Sequence, residues 1–178
     1  MKVLHLISGG DTGGAKTHVH SLLAGLTPRI QVKMVCFTEG PFVEEARALG
    51  IDTQVFPGRN FFANLKQLTQ MVRDEGFDLI HSHCPVASTV LARLVRDRIH
   101  VPLIFPYHTK FDIDIAHAIR AKWLQEAAVR TLVENISACD EVWTVSRGAG
   151  ENLRSLGYAG DCIVMPNGVD FDAGRVPD

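Results

Sequence analysis

The sequence lacks the features that would place it in several large classes of protein. Its four cysteines include no pair at the C-x-x-C spacing of zinc ribbons and thioredoxin-like sites. No apolar stretch approaches the roughly 20 residues needed to span a bilayer, and the opening segment Met1–Ile7 is too short for a signal peptide. The net charge of −2 excludes the global basic field of a nucleic-acid-binding protein. We therefore expect a cytoplasmic protein in a reducing compartment, with no nucleic acid among its partners.

The sequence does contain a regular alternation of short apolar runs and helical patterns. Its 178 residues are 46% hydrophobic and 21% charged, which suits one domain with a sizeable core. Apolar runs predict strands at Lys2–Ser8, Gln31–Phe37, Asp52–Phe56, Asp78–Ser82, Pro102–Tyr107, Glu141–Val145 and Cys162–Met165. Apolar residues at helical spacing predict helices at Ala15–Leu26, Phe42–Leu49, Phe62–Glu75, Pro85–Asp97, Ile115–Ser137 and Arg147–Leu156.

This order of elements predicts an α/β fold with an open, doubly wound parallel sheet, Rossmann-like and built in three α/β/α layers. The strands are apolar along nearly their whole length, as expected of strands that are covered on both faces. We expect the domain to occupy residues 1–165. Residues 166–178 have too little apolar content for another element, so we predict that they are the start of a linker.

The loop that follows the first strand is a candidate ligand site, because open parallel sheets bind ligands beyond the carboxyl ends of their strands. This loop, Gly9–Gly14, contains four glycines and opens a helix. Free backbone N–H groups at a helix start favour an anion such as a diphosphate. The alternative is a tight turn that needs glycine for positive φ angles.

Two nucleotide-binding patterns are close to this loop but are not met. The dinucleotide pattern G-x-G-x-x-G fails because Asp11 stands where the second glycine belongs. The P-loop pattern is nearly met over Gly10–Thr17, with Ala15 in place of the final glycine. A P-loop protein also needs an Asp at the end of a later apolar strand to hold magnesium, whereas the strand Asp78–Ser82 ends in His-Ser-His.

Histidines follow two later strands. His81 and His83 are two residues apart and share a face of a strand, as in some metal sites, but the spacing forces no further Asp, Glu or His ligand. We therefore expect no metal, and we expect one of these histidines to be buried and hydrogen-bonded while the other reaches the cleft. The polar run Tyr107–Asp112 makes His108 a second candidate, with a helix-capping histidine as the alternative.

Five sequence elements, in this order, resemble the N-terminal domain of family 4 glycosyltransferases of the GT-B fold. They are Gly13-Gly14-Ala15, Asp78–His83, Tyr107–Thr109, Val145-Ser146 and Pro166–Asp170. The resemblance runs from Met1 to about Asp170, and its most specific element is the closing Asn-Gly-Val-Asp. The stretch His108–Asp112 also resembles bacterial members that glycosylate membrane lipids.

The resemblance implies one half of a GT-B architecture and a retaining hexosyltransferase that uses a nucleotide-sugar donor without a metal or other cofactor. It implies that His108 is the catalytic residue at the transferred sugar, and that Gly13 and Gly14 approach the donor diphosphate. The other substrate contacts that it implies are Asp11, Lys16, His83 and Ser146. At Lys16 this chain departs from the pattern, because many relatives carry Glu there.

The family also carries a C-terminal donor domain with a Glu-x7-Glu motif, and we expect that domain to be absent here. The chain would then be the acceptor-side half, inactive alone, with a sugar or a lipid as acceptor. The alternatives are a stand-alone module that binds a small ligand or a protein, and another GT-B enzyme such as a sugar-nucleotide epimerase. The amphipathic segment Phe61–Arg73 predicts either peripheral contact with the inner face of the membrane or a helix packed on the sheet.

Overall fold

The computed structural model describes residues 1–9, 14–56, 60–83 and 87–167. Within these ranges the strands are β1 (Lys2–Ile7), β2 (Gln31–Cys36), β3 (Asp52–Val55), β4 (Leu79–Ser82), β5 (Leu103–Tyr107), β6 (Glu141–Thr144) and β7 (Ile163–Val164). The helices are α1 (Gly14–Leu26), α2 (Pro41–Ala48), α3 (Phe61–Glu75), α4 (Ala87–Ile99), α5 (Phe111–Ala118), α6 (Lys122–Ser137) and α7 (Arg147–Ser155).

These strands form one sheet in the order β3-β2-β1-β4-β5-β6-β7, and every neighbouring pair is parallel. The first six positions of this order are those of the doubly wound dinucleotide-binding fold. The predicted open parallel α/β sheet is therefore confirmed. The order reverses between β1 and β4, so these two strands lie side by side at the point where such folds open a crevice.

Strand β1 shows why the strand sequences are continuous apolar runs. Leu4 and Leu6 belong to a buried cluster with residues of α3 and α4, including Leu68. Ile7 belongs to a different buried cluster with residues of α1 and α2, including Leu23. Side chains alternate between the two faces of a strand, so β1 buries both faces under helices.

The predicted single helix Ile115–Ser137 is wrong, because the structure divides this region into α5 and α6. Ile119 ends α5 in an extended conformation, with φ −118° and ψ 123°, and Ala121 precedes α6 with ψ 118°. The side-chain amide of Gln125 donates a hydrogen bond of 2.6 Å to the Ile119 carbonyl oxygen. This bond satisfies a carbonyl that a continuous helix would have paired with the backbone. No Gly or Pro marks the break, so the helical spacing concealed it.

Helix α3 packs on the sheet, as one of the two interpretations of Phe61–Arg73 predicted. Its apolar residues Leu65, Leu68, Met71 and Val72 are buried, whereas Phe62 is 78% exposed. None of the described helices combines the length and the apolar content needed to cross a membrane.

The boundary predicted at residue 165 lies just past the last strand, β7. Residues 168–178 lie outside the described part of the chain. The interpretation of residues 166–178 as an interdomain linker stays a prediction.

Candidate active site

A cavity of about 290 Å³ opens at the carboxyl ends of β4, β5 and β6. Its wall combines imidazole rings, hydroxyl groups and apolar side chains: His18, Ser21, Leu22, His81, Pro106, His108, Trp143, Thr144, Val145, Met165, Pro166 and Asn167. Because open parallel sheets bind ligands beyond the carboxyl ends of their strands, this cavity is the candidate site.

His108, the first residue after β5, is half-buried in this cavity. Its ring centroid lies 4.4 Å from that of His18 on α1 and 6.3 Å from that of His83, whose ring is nearly parallel to it at 4°. Burial, and to a lesser extent the neighbouring His18, lowers the pKa of His108 to about 4. Both ring nitrogens are buried without a hydrogen-bond partner among the described residues. At neutral pH the site thus holds a neutral imidazole that can donate one hydrogen bond and accept another.

Three further histidines lie together at the centre of the sheet. His5 on β1 and His81 on β4 are paired in register, and His83 follows β4 directly. The ring centroids are 5.1 Å apart for His5 and His81, 5.3 Å for His5 and His83, and 4.2 Å for His81 and His83. His5 Nδ1 and His83 Nε2 form a hydrogen bond of 3.0 Å. We call these three residues the histidine cluster.

The histidine cluster is buried and neutral. His5, His81 and His83 are 0%, 4% and 8% exposed. Burial lowers the pKa of His5 to about 3, and burial followed by the neighbouring histidines lowers the pKa values of His81 and His83 well below their usual range. The neutral form avoids the cost of placing unpaired charges in the core.

The sequence predicted that one of His81 and His83 would be buried and hydrogen-bonded while the other reached the cleft. His83 makes the hydrogen bond to His5, and His81, although buried, lines the cavity. His5 and His18 were missed. The sequence signal available for His5 was its position as a polar residue inside the apolar run of β1. That it lies beside His81 on β4 follows only from the strand order.

The glycine loop after β1 is described only at its two ends. Gly9 has φ +92°, and a Cβ atom there would collide with the backbone carbonyl oxygen of Thr38. For Gly9 the tight-turn interpretation therefore applies. Asp11 and Gly13 lie outside the described residues. Helix α1 begins at Gly14, and Lys16 lies in its first turn with a side chain outside the described part.

Ser146 caps helix α7, because its Oγ accepts a hydrogen bond of 3.1 Å from the Ala149 backbone N–H. The cavity wall before it is formed by Trp143, Thr144 and Val145. The Thr144 hydroxyl is buried without a partner among the described residues, and the Trp143 ring lies edge-on to His81 at 5.3 Å. Trp143 and Thr144 are candidate contacts that sequence analysis missed, since their strand pattern indicated burial alone.

A larger groove of about 960 Å³ runs along α6. It mixes basic and acidic side chains and contains none of the clustered histidines: Arg93, Asp112, Glu126, Arg130 and Glu134 are among its lining residues. We place the candidate site in the smaller cavity, because chemically distinctive groups converge there at the strand ends.

The sheet order and the cavity at the strand ends define a Rossmann-like domain with a candidate ligand site in the crevice of the sheet. Residues 12–173 match the model of Glycosyltransferase Family 4. The chain belongs to this family. A search of curated proteins gives no match.

Several solved structures share the fold at low sequence identity. Anabaena HepE in complex with UDP-glucose has a TM-score of 0.78 and 19% identity, over 97% of this chain and 45% of that one. The UDP-GlcNAc 2-epimerase of Neisseria meningitidis bound to UDP-GlcNAc has a TM-score of 0.63 and 17% identity, over 94% and 47%. MurG of Acinetobacter baumannii has a TM-score of 0.61 and 13% identity, over 98% and 48%. The chain spans about half the length of each of these proteins.

Proposed function

We propose that the chain is the acceptor-side domain of a retaining hexosyltransferase, which transfers a sugar from a nucleotide-sugar donor to a sugar or lipid acceptor without a metal or other cofactor. The observation that carries this proposal is the cavity containing His108, in a chain that belongs to family 4. The known location of ligand sites in open parallel sheets agrees with its position.

The size of the cavity supports a site that holds only part of the donor and acceptor. About 290 Å³ is just below the usual volume range of small-molecule pockets. A nucleotide sugar is longer than such a space, so its nucleotide would need a second wall. We propose that residues 166–178 lead to a donor domain that supplies this wall. The similar proteins, of which this chain covers about half, have the length for two such domains.

His108 is the proposed catalytic residue, because its imidazole is neutral, half-buried and free to meet a ligand. Its low pKa makes a full proton transfer to it unfavourable at neutral pH. We propose that it donates and accepts hydrogen bonds at the transferred sugar and the acceptor hydroxyl. Thr144, with its unpartnered buried hydroxyl, would contact the same sugar.

The remaining predicted contacts are part of the proposal. Gly13 and Gly14 would approach the donor diphosphate at the start of α1, with Asp11 and Lys16 beside the acceptor. The start of a helix favours a diphosphate through its free backbone N–H groups. His83 and Ser146 would act by position, since each side chain already makes a hydrogen bond within the protein.

The cellular location is a further part of the proposal. We propose a cytoplasmic protein that meets a lipid acceptor by peripheral contact at the inner face of the membrane. The exposed Phe62, with Lys66 and Arg73 exposed on the same helix, supports such contact.

A second candidate is a sugar-nucleotide epimerase, which the fold shared with the Neisseria meningitidis enzyme favours. The two functions differ in whether an acceptor is consumed. A transferase releases nucleotide only as acceptor is glycosylated, whereas an epimerase changes the sugar of the donor without an acceptor.

The test is nucleotide release from a panel of sugar nucleotides by the complete gene product, with lipid extract or soluble sugars as acceptor. We expect acceptor-dependent release that His108→Ala reduces by at least about 100-fold, because aligned hydrogen bonds at the reacting atoms contribute about that much. His117→Ala, which changes an exposed histidine on α5, is the matched control and should retain activity.

Each other outcome removes a specific part of the proposal. Unchanged release in His108→Ala would remove His108 from the chemistry while leaving the family function. Isomerised donor without acceptor consumption would favour the epimerase. No release with any donor would favour a module that only binds its ligand.

A further inference from the structure

The histidine cluster of His5, His81 and His83 has a geometry that the proposed transfer reaction does not require. Each side chain offers a ring nitrogen, and the three ligand atoms all lie within 4.8 Å of one another. His5 Nε2, His81 Nε2 and His83 Nδ1 are buried without a hydrogen-bond partner among the described residues. Buried polar groups left unpaired are costly, and coordination of an ion would give His81 Nε2 the partner that it lacks.

We propose that His5, His81 and His83 together bind one Zn²⁺ ion, or a divalent transition-metal ion with similar ligand preference such as Co²⁺. Imidazole nitrogen is the commonest protein ligand of such ions, and three histidines with one open position form a recurrent zinc site.

The distances between the ring nitrogens of the histidine cluster are close to those between ligand nitrogens around a bound zinc ion. Zn–N bonds of about 2.0–2.1 Å in a tetrahedron place ligand nitrogens about 3.3 Å apart. His5 Nδ1 and His83 Nε2 are already 3.0 Å apart. The widest separation in the cluster would have to shorten by at most about 1.5 Å. Rotation of the rings can supply this change, while the pairing of β1 with β4 holds the backbones of His5 and His81 in place.

Metal binding requires the proton in the hydrogen bond between His5 and His83 to leave the two facing nitrogens. One of the two facing nitrogens carries it in the metal-free protein. A tautomer change moves it to the outer nitrogen of the same ring, either His5 Nε2 or His83 Nδ1, and both of these lack a partner. The facing nitrogens then both present lone pairs to the ion, and neither ring changes its charge.

The fourth ligand position would face the cavity, because His81 belongs to both the cluster and the cavity wall. A water molecule from the cavity can occupy that position, as in open zinc sites. The inference is independent of the transfer reaction, which we expect to proceed without the ion. Failure of either proposal would therefore leave the other standing.

The test is a metal titration of the 178-residue chain after treatment with a chelator. We expect one Co²⁺ ion per chain, with the strong visible absorption of tetrahedral Co²⁺, and displacement of that ion by Zn²⁺. His5→Gln, His81→Gln and His83→Gln should each weaken Co²⁺ binding by at least about 10-fold. His20→Gln is the matched control, because His20 packs against Phe42 on α2 and not in the cluster. It should bind Co²⁺ like the native chain.

If a variant in the core does not fold, X-ray absorption at the zinc edge of the native chain still tests the proposal, because it identifies the zinc ligands without any substitution. Three imidazole ligands around zinc would support the proposal. The proposal would be overturned by fewer than three imidazoles, by less than one ion per native chain at equimolar metal, or by Co²⁺ binding that survives all three cluster substitutions in folded variants.

Discussion

At the scale of single residues, Gly9 occupies a backbone position that a side chain cannot share. Its φ of +92° is in the left-handed region, and a Cβ would collide with the Thr38 carbonyl oxygen. We expect Gly9→Ala to lower the free energy of unfolding by about 2–4 kcal/mol, through backbone strain and displacement of the loop after β2. Urea denaturation measures this loss.

Gly25 is the matched control for that substitution. It lies in α1 near the end of the helix, and a Cβ there meets nothing within 4 Å. Gly25→Ala should raise the free energy of unfolding by about 0.4–1 kcal/mol, because alanine restricts the unfolded chain. Equal effects of the two substitutions would mean that the turn at Gly9 can rearrange.

At the scale of elements, a carboxylate at the end of α3 joins the amino ends of β1 and β2. Glu75 accepts hydrogen bonds of 2.7 Å from the amino groups of both Lys2 and Lys33. Burial alone would raise the pKa of Glu75, but the hydrogen bonds and charges of the two lysines outweigh it and lower that pKa below its usual value of 4.5. The folded state therefore favours the ionised carboxylate.

This ion pair predicts a pH-dependent contribution to stability. Because the pKa is lowered by folding, the contribution is present above pH 4.5 and is lost as the pH falls through the folded-state pKa. Glu75→Gln should cost about 1–2 kcal/mol of unfolding free energy at pH 7, and this cost should shrink as the pH falls through the folded-state pKa of Glu75. Glu134→Gln changes an exposed carboxylate on α6 and should have little effect. A cost for Glu75→Gln that stays constant with pH would contradict the charged interaction.

At the scale of the whole molecule, the candidate site is lined by residues of a single domain. Catalysis depends on interactions that strengthen in the transition state, and a two-domain cleft supplies them from both sides. We therefore expect the 178-residue chain alone to fold and to transfer no sugar from any donor in the panel. Nucleotide release measures this, and a measurable turnover would show that one wall is sufficient.

Much of the fold could be predicted from the sequence because it depends on local periodicity. The runs around β1 and β5 are apolar along their length, which indicates parallel strands covered by helices. His108 was predicted at the end of such a strand for the same reason. The single helix over Ile115–Ser137 was predicted wrongly, because the hydrogen bond from Gln125 that stabilises the break at Ile119 leaves no mark on the spacing.

The sequence by itself therefore determined the order of strands and helices, the parallel sheet and the edge where the candidate site lies, since each follows from patterns a few residues long. Only the tertiary structure decided which distant residues meet there. The strand order places β1 beside β4, and this brings His5 to His83 across 78 positions of sequence. The packing of α1 brings His18 to His108. Such contacts depend on how crossover helices position whole strands, and no local pattern encodes that placement.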